Sequence, residues 1–273
     1  MIGYRIPPQT QALPRQMLRQ LASKTEALSE TKRGQGIQKL HWAVRSNEFK
    51  INRSLDTYCK TFGDTFAKSL MNLKPKDTWL DGGAGAAIAQ YDYIRSFDQP
   101  AKVIAVSPIR PLISPLDPHC DLPYSRYMEE TVENLPISDL RPVKLITDLH
   151  GAIAYTPNLY QVMEKYIDLL PLEGKLFFIA TRTSIEDTDG KRISVHDWLL
   201  DMDGVRVFPL RSDVEKLHPE DKILFGLEKE SHFIKIPQIE FQETKDTRGF
   251  PLERVFKKVA APKPPSPPSS FFF

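Results

Sequence analysis

From residue 77 onward, short apolar runs alternate with apolar positions at helical spacing. Thr78-Trp79-Leu80 is an apolar run ending at a Gly-rich turn, and residues 86–97 follow as a predicted helix. Residues 102–106 and 143–147 are β-branched runs, the pattern of strands buried on both faces. Residues 158–170 put Leu159, Val162, Met163, Tyr166, Ile167 and Leu170 on one helical face, and Pro171 and Gly174 stop that helix. Residues 176–180 form the next predicted strand. Such alternation predicts parallel strands joined by crossover helices. The last third differs. Residues 205–209, 223–229, 233–236, 239–243 and 252–259 are short β-like runs, two of them separated by the turn Asp246-Thr247-Arg248-Gly249. They predict an antiparallel C-terminal edge added to a mostly parallel α/β sheet.

The flanks carry other patterns. Leu13, Met17, Leu18 and Leu21 recur at helical spacing, as do Thr65, Phe66, Leu70 and Met71, with Gly34 and Gly36 between them. Residues 1–60 are therefore expected to form a helical N-terminal extension or lid, with Trp42, Phe49 and Tyr58 as its aromatic lining. Residues 61–260 are expected to form the main domain. Residues 261–273 are a Pro-rich tail, expected to be disordered and open to a partner that binds extended proline segments.

Composition narrows the class. A chain of 273 residues that is 41% apolar and 26% charged suits one large α/β domain with an appendage. The net charge of +2 hides an asymmetry: residues 1–60 hold 11 Lys/Arg against 4 Asp/Glu, a net of +7. That front end reads either as a solvated helical face or as a surface for a phosphate-bearing partner such as RNA. Two cysteines, Cys59 and Cys120, are too few for a zinc site or a disulfide framework. His119-Cys120-Asp121 lacks a partner cluster, so no metal is expected. No apolar run approaches the ~20 residues of a membrane helix. Residues 1–10 lack an apolar signal core, so the cytoplasm is the expected location.

The feature that carries chemistry is Leu80-Asp81-Gly82-Gly83-Ala84-Gly85-Ala86-Ala87, a strand, a tight Gly turn and a helix start. Glycine admits close backbone approach, and a helix N-terminus presents N–H groups. A dinucleotide fingerprint needs a third glycine where Ile88 stands, and a phosphate loop needs Gly-Lys-Ser/Thr, which is missing. Further on come Glu133-Asn134-Leu135-Pro136, Thr147-Asp148-Leu149-His150-Gly151 and Leu170-Pro171-Leu172-Glu173-Gly174-Lys175-Leu176.

In this order and spacing, residues 60–182 resemble the class I S-adenosylmethionine-dependent methyltransferases, whose glycine turn reads Asp-x-Gly-x-Gly. The resemblance implies a Rossmann-like sheet and S-adenosylmethionine as cofactor. It implies that Asp81, Gly82, Gly83 and Gly85 hold its methionine portion and ribose. Thr131 and Val132, with neighbouring Glu130, match the adenine contacts, and Asp148 and Leu149 match the strand end beside the sulfonium. Ser107 stands where the family usually has an acidic residue gripping the ribose hydroxyls. His150 is the candidate general base, needed only if the acceptor must lose a proton, and Tyr155 is a candidate for lining the acceptor pocket. Three functions stay open: methyl transfer to a small molecule or protein side chain, methyl transfer to RNA, and a non-catalytic binding protein on the same fold.

Overall fold

The computed structural model describes residues 53–108, 125–181, 183–208, 210, 223–245 and 253–259. The expected Pro-rich tail, the His119-Cys120-Asp121 loop, and Trp42 and Phe49 of the expected lid lie outside these residues.

The first described helix, α1 (Leu55–Met71), is capped by Ser54, whose hydroxyl accepts from the Thr57 N–H at 3.3 Å. Gly63, at φ 73°, breaks its helical backbone, a conformation that glycine adopts without Cβ strain. Tyr58, Phe62, Phe66 and Leu70 recur every four residues and form its buried face. Full burial of such side chains contributes about 1.5–3 kcal/mol each. The expected boundary between residues 60 and 61 falls inside this helix, which packs on the sheet along its length.

Strand β1 (Thr78–Asp81) leads to α2 (Ile88–Ser96) and β2 (Lys102–Ser107). After β3 (Ser125–Glu129) come a 3-10 turn at Val132–Asn134 and the short helix α3 (Ile137–Leu140). Strand β4 (Leu145–Asp148), the short helix α4 (Ala152–Tyr155), helix α5 (Leu159–Leu169) and β5 (Lys175–Ile179) follow. Then come β6 (Thr183–Glu186), β7 (Arg192–Ile193), α6 (Val195–Leu200), β8 (Val205–Phe208), β9 (Leu224–Lys229), β10 (Ile239–Lys245) and β11 (Glu253–Lys258).

The main sheet has seven strands in the order β3-β2-β1-β4-β5-β9-β8. β3 to β5 are parallel, while β9 runs antiparallel to β5 and β8 antiparallel to β9. This is a Rossmann-like sheet with an antiparallel edge, as expected. The period-2 alternation of each strand divides its side chains between two cores. Leu80, Ile104, Val106, Leu176 and Phe178 face the core under α5 and α6. Trp79, Val103, Ala105, Phe177 and Ile179 face the other, under α1 and α2. That second core is aromatic: Phe66 meets Phe177 edge-on at 5.5 Å between centroids, and Trp79 meets Tyr93 at 5.5 Å and 90°.

The edge differs from expectation in its membership. Only β8 and β9 join the main sheet. β10 and β11 pair with each other, and β11 pairs in parallel with β6, in a separate four-stranded sheet ordered β10-β11-β6-β7. The expected strand at 233–236 reduces to one bridge between Asp203 and Lys235. A short alternating run fits any half-buried edge, so its pattern does not say which sheet it joins.

Candidate functional site

Strand order reverses direction between β1 and β4, and in such sheets the crevice outside the carboxyl ends at that point is where ligands bind. A cleft of about 640 Å³, counted with its open mouth, lies there. Gly82 and Gly83 from the β1 turn, Ser107 and Pro108 from the end of β2, and His150 to Ala152 from the β4 loop line it. Glu130, Thr131, Val132 and Glu133 after β3 form another side, and Tyr155 and Thr156 complete it. Seven of the expected site residues thus meet on one surface: Gly82, Gly83, Ser107, Glu130, Thr131, Val132 and His150.

The remaining four, Asp81, Gly85, Asp148 and Leu149, stand behind the lining. Asp81 was expected to accept hydrogen bonds from a ligand; instead it is fully buried and the protein itself supplies its donors. Its Oδ2 accepts from the Tyr58 hydroxyl at 2.5 Å and Gln90 Nε2 at 2.7 Å, and its Oδ1 from Thr147 Oγ1 at 2.8 Å. Thr147 Oγ1 in turn accepts from Trp79 Nε1 at 2.9 Å. Burial pushes the Asp81 carboxyl up, and the Arg53 guanidinium beside it pulls back. Tyr58 was expected as aromatic lining of an acceptor pocket; it is fully buried in the α1 core, where burial and the Asp81 charge hold its hydroxyl protonated.

Asp148 is equally buried. Its Oδ1 accepts from the Gly151 N–H at 2.9 Å, and its Oδ2 from the Ile153 N–H at 3.1 Å and the Tyr166 hydroxyl at 2.7 Å. The carboxylate therefore ties down the loop that carries His150, in the manner of a helix cap. Burial, reinforced by the Asp81 charge, pushes its carboxyl up to about 7. Leu149 is 2% exposed and packs in the aromatic core.

The glycines serve loop packing first. The Gly82 N–H donates to the Thr147 carbonyl at 2.8 Å, and the Ala152 N–H donates to the Gly82 carbonyl at 3.3 Å. A Cβ on Gly82 would sit 1.6 Å from the Tyr166 hydroxyl oxygen, and one on Gly83 2.3 Å from the Gly151 Cα. Gly85 has φ 56° and its carbonyl accepts from the Tyr127 hydroxyl at 2.7 Å. Helix α2 starts at Ile88, two residues later than expected, after Ala87 in the left-handed region at φ 58°.

Around the cleft the acidic side chains are fixed. Glu130 Oε1 accepts from the Thr131 N–H at 2.9 Å and Asn134 Nδ2 at 3.0 Å. Glu133 Oε1 accepts from Thr156 Oγ1 at 2.5 Å. Among the described residues, no lysine or arginine lines the cleft. Arg254 stands just behind, 4% exposed, donating to the Thr156 carbonyl at 2.7 Å and to Thr183 Oγ1 at 2.5 Å. Burial brings its guanidinium down to about 10. Arg53, Gln90 and Arg254 escaped the sequence reading, because their partners lie 30, 9 and 98 residues away. Among the described residues no group of three or more His, Cys, Asp or Glu is placed to hold a metal, and no helix is long and apolar enough to cross a membrane.

No family model and no curated protein matches the chain. Among solved structures it is similar to a candidate S-adenosylmethionine-dependent methyltransferase from Listeria monocytogenes, at 13% identity over 61% of this chain and 96% of that one, TM-score 0.43. It is also similar to a candidate methyltransferase from Streptococcus mutans in complex with SAH, at 13% identity over 66% and 99%, TM-score 0.39. A third likeness is to an rRNA methylase from Streptococcus thermophilus, at 16% identity over 67% and 100%, TM-score 0.37. With likenesses this distant, the fold rests on the strand order described above.

Proposed function

We propose that the chain is a methyltransferase that binds S-adenosylmethionine in this cleft and passes its methyl group to a small-molecule or protein acceptor. The observation that carries the reading is the meeting of the Asp-x-Gly-x-Gly turn with Ser107, Glu130–Val132 and His150 at the switch point of the sheet. The charge of the lining supports the reading. Glu130 and Glu133 make the lining acidic, which favours a sulfonium cation and disfavours the pyrophosphate of a dinucleotide.

When bound, the cofactor supplies an electrophilic methyl group, so the protein's work is mainly positioning. Gly82 and Gly83 would hold the methionine end, Ser107 the ribose, and Thr131 and Val132, with Glu130, the adenine. The Thr131 N–H already donates to Glu130, so a Glu130 contact carries the order of that turn with it. His150 and Tyr155 line the cleft on the far side, where the acceptor would enter. His150 is the base if the acceptor must lose a proton. The acidic lining favours a neutral or cationic acceptor over RNA, although the basic residues 1–60 lie mostly outside the described residues.

Calorimetry with S-adenosylmethionine and S-adenosylhomocysteine tests the cofactor. The expected result is binding of both, with none of NAD; no binding at millimolar concentration overturns the reading. Transfer of a radiolabelled methyl group into fractionated extract then tests turnover and shows whether protein, RNA or a small molecule takes the label. Binding without transfer into any fraction would assign a non-catalytic binding role.

A further inference from the structure

We propose that Arg53 is a positioning residue for the cleft: it latches the start of α1 to the Gly turn, and the affinity of the cofactor depends on that latch. The proposal takes its ligand from the reading above, while its geometry stands on contacts among α1, β1 and β4.

An arginine that is 4% exposed needs partners for its charge and its five donors. Nη2 donates to the Gly83 carbonyl, on the lining of the cleft. The charge also acts on the Asp81 carboxylate two residues earlier. Nε is buried without a partner, so the guanidinium is held by the turn more than it is satisfied by it.

A turn built on two consecutive glycines has little stiffness of its own. Its shape comes from what grips it. The Gly82 carbonyl is gripped from the front by the Ala152 N–H, and the Gly83 carbonyl from behind by Arg53. Asp81 anchors the same turn from below. The groups facing it are Arg53 just before α1, Tyr58 from α1, Gln90 from α2, Thr147 and Asp148 from β4, and Tyr166 from α5. Among these groups Arg53 is the one cation. Its removal takes away both the rear grip on Gly83 and the counter-charge of Asp81.

The test compares the full-length wild type with Arg53→Met, Arg53→Gln and Arg53→Lys at a series of pH values from about 4 to 8. S-adenosylhomocysteine affinity is read by calorimetry and stability by melting. Arg53→Met and Arg53→Gln are expected to bind about tenfold or more weakly, the scale of a lost charged hydrogen bond. Arg53→Lys, which keeps the charge, is expected to recover part of that affinity. The pH signature separates a latch on Asp81 from bulk packing. Burial alone raises the Asp81 carboxyl, and a raised acid favours the fold at low pH and loses that favour as pH rises through its folded value. Without Arg53 this loss is larger, so the melting gap to wild type widens as pH rises from about 4, the ordinary carboxyl value, toward 8 in the two neutral variants and not in Arg53→Lys. If Arg53→Met does not melt cooperatively, Arg53→Gln, which keeps a donor, carries both readouts. Wild-type affinity in a folded neutral variant, or a melting gap independent of pH, overturns the proposal. A wild type that binds neither S-adenosylmethionine nor S-adenosylhomocysteine overturns the cofactor reading instead, and the widening or constancy of the melting gap still decides whether Arg53 holds Asp81.

Discussion

Asp81 and Asp148 end neighbouring strands at the switch point, both fully buried, and the protein holds them in different ways. Asp81 takes side-chain donors from α1, α2 and β4 and has Arg53 beside it. Asp148 takes two backbone N–H groups from its own loop and one tyrosine hydroxyl. Asp81 thus joins distant parts of the fold, while Asp148 folds its own loop back. The difference reaches their ionisation: a cation offsets burial at Asp81, whereas Asp148 is pushed up to about 7.

Replacing each carboxylate tests that contrast. Asp81→Asn leaves Arg53 buried without its counter-charge, which costs about 3–5 kcal/mol. Chemical denaturation at pH 7 measures it, and a loss no larger than that of Asp148→Asn would erase the distinction. Next in size is the seam between the two loops. Gly83→Ala drives a Cβ to 2.3 Å from backbone that has no side chain to move aside, for about 3 kcal/mol. Gly190, at φ 83° with nothing within 4 Å, is the control: its alanine variant costs about 1 kcal/mol from backbone strain alone. Equal losses at the two glycines would mean that the seam gives way easily.

Asp148→Asn is expected to cost about 1–3 kcal/mol near pH 5, where the wild-type carboxyl is protonated and well bonded. A raised acid stabilises the fold at low pH and loses that contribution as pH rises through about 7. The gap between wild type and Asp148→Asn should therefore narrow between pH 5 and pH 8; a gap that stays constant would show the folded carboxyl to be ionised throughout. The smallest effect is at His150, whose φ of 52° is strained for a residue with a Cβ. His150→Gly should raise stability by up to about 1 kcal/mol. If His150 is the base, the same change lowers methyl transfer about 100-fold while cofactor affinity holds.

Those effects lie mostly where the chain's pattern was silent. Strands β1, β2, β4 and β5 and helix α5 were legible because continuous apolar runs and a 3.6-residue period are local signals. β3, Ser-Arg-Tyr-Met-Glu, was missed because an edge strand with half-buried and exposed positions carries no apolar run. β6, Thr-Ser-Ile-Glu, holds a single apolar residue and β7 is two residues long, so neither leaves a pattern. At the site, the Gly turn and the segment at residues 130–132 were legible because their residue types are constrained by close approach and by the turn after β3. What was not legible is which carboxylates face the cleft. Asp81 and Asp148 read as ligand contacts by position, but burial and satisfaction of their oxygens depend on Tyr58, Gln90, Gly151 and Tyr166, partners set by the tertiary fold.

Arg254 carries a consequence for the order in which the protein is built. It lies on β11 and donates to the carbonyl of Thr156, which borders the cleft 98 residues earlier. A ribosome works from the N-terminus, so the Gly turn, the β3 segment and the His150 loop all emerge first. The cleft's far wall waits for one of the last described strands. A nascent chain halted before Arg254 would carry every expected cofactor contact and still lack the clasp that closes the wall around them.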